Sequence, residues 1–127
     1  MNIWLLLSVG IGGFIGAVLR FTLSGWVQKA TASDFPFGTL TVNILGSFFI
    51  GFLFLYFQHI NLSPIQKALL ITGLLGALTT FSTFSLDTVL LMQEEFYVKA
   101  FSNVILNVIF SVGGTFLGMM IFKKIYI

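Results

Sequence analysis

Residues 39–57 carry no charged side chain. As a helix rising 1.5 Å per residue, this run of about 19 residues extends ~27 Å, close to the hydrocarbon thickness of a bilayer. A segment of that kind must satisfy its backbone polar groups internally, which a helix does. Three further stretches, residues 4–26, 64–91 and 98–122, are as long or longer and as apolar. The sequence therefore predicts an all-α integral membrane protein, with four transmembrane helices in a single domain over residues 1–127. Charged residues make up only 8% of the chain, against about 25% in soluble proteins. Six Lys and Arg residues are too sparse for the dense cationic face that nucleic acid requires. The absence of cysteine excludes disulfides and thiolate metal sites. The first span has no basic leader and is full length, so it reads as a retained helix.

Trp4 and Trp26 suit the aromatic belts at the two interfaces. Between them Gly12-x-x-x-Gly16 thins one wall for close helix packing. Arg20 has two readings, an anchor that snorkels outward or a charge facing an aqueous vestibule. Residues 27–38 form a polar connection with Pro36 and Gly38. In the second span Asn43 must face protein or water, either as a bond between helices or as part of a path, and Gly46, Ser47 and Gly51 continue its face. His59 falls in the turn that follows, as a solvated histidine rather than a ligand. The third span opens on Ser63, Pro64 and Gln66, the pattern of a capped helix start. As one straight helix residues 64–91 would reach ~40 Å, longer than the hydrocarbon. Tilt absorbs that excess, and so does a break between Gly76 and Thr80 that frees backbone carbonyls to hold a cation.

The middle of that span, GLLGALTTFSTFS from Gly73 to Ser85, is uncharged but rich in hydroxyls, with Phe81 and Phe84 three residues apart. In the fourth span Asn103, Asn107, Ser111 and Thr115 recur every four residues and share a slowly drifting face. Such a stripe is either the wall of a pathway or glue between helices. The only acid well inside a span is Asp87, and no nucleophile–base pair or metal-ligand cluster suggests an enzyme. A lining of amides and hydroxyls, with Arg20 near one mouth, offers donors and favours an anion. The positive edges of Phe81 and Phe84 would add to it, although two core phenylalanines in a chain of sixteen explain the spacing as well. Four spans put both termini on one side, with Lys67, Lys123 and Lys124 there and Arg20, Lys29 and Lys99 toward the other. Equal counts give no preferred orientation, which points to an antiparallel dual-topology homodimer.

GGFIGAVLR at Gly12 to Arg20, GTLTVN at Gly38 to Asn43 and GLLGALTTFSTFS at Gly73 to Ser85 closely resemble the Fluc/CrcB family of bacterial fluoride channels. The resemblance covers all four spans. It implies a passive, selective fluoride channel in a prokaryotic cell membrane, built as an antiparallel homodimer with two pores. It also implies that Asn43 is the pore asparagine, that Phe81 and Phe84 form an aromatic box, and that Ser82 and Thr83 lie along the path. Ser111 and Thr115 correspond to a polar track and Arg20 to a vestibule arginine. Gly76 and Thr79 correspond to the residues whose carbonyls hold a structural Na+ at the dimer centre. Ala77 and Asp87 depart from the common Gly and Glu of the family. A four-helix drug exporter would need a carboxylate in the first span, and residues 4–26 contain none. The other rival is a structural subunit that moves no ion by itself.

Overall fold

In a computed structural model describing residues 1–127, the chain is entirely helical: α1 (Ile3–Thr31), α2 (Phe37–His59), α3 (64–78), α4 (Phe81–Gln93) and α5 (Tyr97–Tyr126). Four lengths of chain are long and apolar enough to cross a membrane: α1, α2, the combined Pro64–Gln93 stretch and α5. Only 23 of 127 residues are buried, and large apolar side chains such as Phe14, Phe21, Phe101 and Phe116 point outward. That distribution suits a lipid surround and would be a liability in water.

α1 outruns its expected span and takes in part of the connection, because residues such as Gln28 and Lys29 continue a helix beyond the hydrocarbon without penalty. It stops at Ala32, in the left-handed region at φ 45°, whose N–H donates to the Gln28 carbonyl. Gln28 then organises the turn into α2. Its Nε2 donates to the carbonyls of Ser33 (2.8 Å) and Phe35 (3.0 Å), and its Oε1 accepts from the Gly38 N–H (3.0 Å). At the start of α3, Ser63 Oγ accepts from the Gln66 N–H while Gln66 Oε1 accepts from the Ser63 N–H, both at 3.2 Å, the reciprocal cap expected from sequence. From Ala68 to Leu75 the helix widens to π geometry, a form found mostly in short stretches and often at functional sites.

Two close crossings fix the bundle. α1 lies along α3, where a side chain at Gly12 or Gly16 would overlap the carbonyl of Leu69 or Leu74. α2 lies along α5, where one at Gly118 would overlap the Phe48 carbonyl. Between these pairs sits a small core of Val42, Leu75 and Leu78. At one end Phe52, Tyr56, Phe122 and Tyr126 form an aromatic cluster. His59 is the last residue of α2, exposed but packed on Phe122 and Tyr126 with ring centroids at 5.8 and 5.5 Å.

Candidate conduction site

Helical backbone ends at Leu78 and resumes at Phe81; Thr79 (φ −86°, ψ 156°) and Thr80 (φ −151°, ψ 117°) between them are extended. An extended pair inside a span leaves polar groups that need partners. Asn43 on α2 supplies them at Thr80, its Oδ1 accepting from the Thr80 N–H (2.8 Å) and its Nδ2 donating to the Thr80 carbonyl (3.2 Å). Thr80 caps α4 in turn, its Oγ1 accepting from the Thr83 N–H at 3.1 Å. These bonds divert the two N–H groups that a continuous helix would give to the carbonyls of Gly76 and Thr79. Neither carbonyl receives its usual donor four residues on.

The Asn43 amide begins a longer chain of bonds. Its Nδ2 also donates to Asn107 Oδ1 (2.9 Å), and Asn107 Nδ2 donates to the carbonyl (2.8 Å) and Oδ1 (3.0 Å) of Asn103. Asn103 Nδ2 then donates to Thr88 Oγ1 (2.9 Å), which donates to the Phe84 carbonyl (2.8 Å). All three asparagines are buried. Because the Thr80 N–H can only donate, it sets the orientation of every amide in the series. The series starts at the extended pair, crosses α2 and α5 and returns to α4.

A cavity of about 370 Å³ opens beside this junction. Its polar wall is Asn43, Ser47, Thr79, Thr80, Asn107 and Ser111, with Gly46 and Gly76 adding bare backbone and Phe81 and Phe84 the aromatic side. The two rings meet edge to face, centroids 5.3 Å apart and planes at 64°. Phe84 is buried, whereas Phe81 is 79% exposed in the single chain.

Of the residues singled out in the sequence, Asn43, Phe81, Phe84, Ser111, Gly76 and Thr79 therefore meet around one cavity. Ser82 and Thr83 lie outside it, Thr83 in the Thr80 cap (Oγ1 to Oγ1, 3.0 Å) and Ser82 at 3.4 Å from Thr80 Oγ1. Thr115 turns its hydroxyl to the carbonyls of Ser47 (3.1 Å) and Ser111 (3.2 Å) and borders a separate hollow of about 290 Å³ with Val112, Phe116 and Met119. Arg20 donates from Nε to the Ala77 carbonyl at 2.9 Å. That puts a cation at the C-terminal end of α3, where the helix dipole favours one. Asp87 accepts from Thr39 Oγ1 at 2.9 Å and borders a polar hollow of about 320 Å³ with Ser24, Gln28 and Asp34. Among the polar side chains of the cavity, Ser47 has the least prominence in the sequence. Its signal was its position four residues after Asn43, on the same helix face.

The profile of the family described as CrcB-like protein, Camphor Resistance (CrcB), matches residues 7–119, nearly the whole chain. This chain is a member of the CrcB-like family. Among its relatives in that family, the protein named fluoride-specific ion channel FluC of a Nitratiruptor species is 56% identical over 126 residues, covering 99% of this chain and 98% of its own. The FluC of a Sulfurovum species is 58% identical over 126 residues, covering 99% of both. The FluC of Campylobacter jejuni (strain 81-176) is 51% identical over 118 residues, 93% of this chain and 97% of the relative. The CrcB-like chain is thus a multi-pass membrane protein of a prokaryotic type.

Proposed function

We propose that this CrcB-like chain is a passive, fluoride-selective channel and not an enzyme. The observation that carries the reading is identity above one half, along 99% of the chain, with proteins named fluoride-specific ion channels. The cavity supports it. Fluoride is small and tightly hydrated, so a path must replace its water with closely spaced donors yet still release it. Hydroxyls at Ser47 and Ser111 and the edges of Phe81 and Phe84 border one space of about 370 Å³. Asn43 acts by holding Thr80 open as well as by lining the path. In this reading Ser82 and Thr83 serve the path from outside the cavity, through the Thr80 cap, Thr115 carries the polar face of α5 one turn past Ser111, and the remaining N–H groups of Arg20 attract anions to the vestibule. Driven by the membrane potential, such a conductance exports the fluoride that weak-acid uptake traps inside.

The working form is an antiparallel homodimer with two pores. Equal numbers of Lys and Arg toward the two sides support dual topology. The exposure of Phe81 and Gly76 in one chain supports their being covered by a second copy. A central Na+ fits the carbonyls of Gly76 and Thr79, since both lack their helical donors.

Anion efflux from liposomes containing only this protein tests the reading, with fluoride and chloride compared under one potassium gradient and ionophore. The expected result is rapid fluoride release and none of chloride. Vesicles shown to hold folded protein that release neither ion refute it.

A further inference from the structure

Hydroxyls in these helices usually turn back to the carbonyl four residues earlier, a common local alternative for such side chains. Ser8, Thr41, Thr79, Thr88 and Thr115 all do so. Within the cavity the other donors are also engaged. The amides of Asn43 and Asn107 are taken by carbonyl oxygens, and the Thr80 hydroxyl donates to Thr83. Ser47 on α2 and Ser111 on α5 are different, because both line the cavity and neither side-chain oxygen bonds to another group of the chain. No buried side-chain oxygen is left without a partner, so neither Oγ is sealed inside the protein, and both residues border the cavity.

From this we infer that Ser47 contacts the permeating fluoride, its hydroxyl acting with that of Ser111 as a pair of free donors; the inference rests on the fluoride-channel reading above. The surroundings hold Ser47 in place. Its carbonyl accepts from Thr115 Oγ1 at 3.1 Å, which ties it to α5 one turn beyond Ser111. The Thr79 methyl fills the space a side chain would take at Gly46, just before it. Ser47 also follows Asn43 by four residues, so an ion passing the extended pair meets it on the same face. An anion stripped of water gains most from O–H groups that are free to rotate, and these are the two the cavity provides.

The test measures fluoride efflux from liposomes for Ser47→Ala, Ser47→Thr, Ser111→Ala and the double alanine variant, each eluting at the wild-type oligomer size. A lost hydrogen bond to a charged ligand predicts fluoride efflux slower by roughly tenfold in Ser47→Ala. Ser47→Thr, which keeps the hydroxyl, recovers most of the rate. The double variant loses less than the product of the two single losses, because both hydroxyls serve one ion. Ser47→Ala at the wild-type rate overturns the inference and leaves the channel intact. So does a slow Ser47→Ala that Ser47→Thr fails to rescue, which makes the position one of packing, and losses that simply multiply overturn the pairing. A silent wild-type protein refutes the channel reading itself.

Discussion

Replacing Asn43 by Leu removes the one side chain that satisfies both polar groups of Thr80. Three groups lose a partner: the Thr80 N–H, the Thr80 carbonyl and Asn107 Oδ1. A buried group left unpaired costs about 1–3 kcal/mol. Here the adjoining cavity of about 370 Å³ admits water, which holds each cost near the lower limit. The sum is about 3 kcal/mol, or roughly a hundredfold in a local equilibrium. Amide hydrogen exchange in detergent, read at Thr80, follows that equilibrium directly. Exchange there should accelerate by roughly a hundredfold, while amides in the α2–α5 crossing around Gly118 stay as protected as in wild type. Fluoride efflux should fall to background in protein that still assembles. Thr80 exchange within about threefold of wild type would show that the extended pair stands without Asn43, and would refute the reasoning.

Gly16→Val should abolish stable assembly, since it drives a side chain onto the Leu74 carbonyl, while Gly10→Ala, with open space around it, should leave thermal unfolding unchanged or slightly improved. Arg20→Gln should lower stability by about 2 kcal/mol by stripping a charge-assisted bond from the Ala77 carbonyl; an unchanged unfolding temperature with altered flux would assign Arg20 to the vestibule alone. Phe81→Ile should reduce fluoride flux far more than assembly, because isoleucine keeps apolar bulk at the cavity but has no ring edge to offer an anion; equal loss of both would make it a packing residue. Preparing the protein throughout in a large organic cation instead of Na+ should lower the yield of the proposed dimer on size exclusion, and a full yield of dimer from Na+-free protein would overturn the structural ion proposed at Gly76 and Thr79.

The spans, the Ser63 cap and the hydroxyl-rich centre of the third span were legible because each is written in consecutive residues. The stripe on α5 was legible as a face but not as a set of roles. Spacing by four says that Asn103, Asn107, Ser111 and Thr115 look the same way; it does not say what they look at. α2 decides that. Opposite Asn43 the stripe becomes a chain of amide bonds, beside Ser47 it opens to the cavity at Ser111, and at Thr115 it becomes a bond to the Ser47 carbonyl. Arg20 was harder still. Its partner is 57 residues away and comes within reach only because Gly12 and Gly16 let α1 lie directly on α3.

The chain of amides from Thr80 to Phe84 also bears on what the wall lets pass. A relay that shuttles hydrogen ions needs members able to accept one on one side and release another on the other, as water and imidazole do. Asn43, Asn107 and Asn103 neither gain nor lose a hydrogen ion near neutral pH, and the series ends on a backbone carbonyl. It is a row of fixed dipoles, electrically oriented but closed to hopping charge. Such a wall adds no path of its own for the gradient that powers ATP synthesis to leak through.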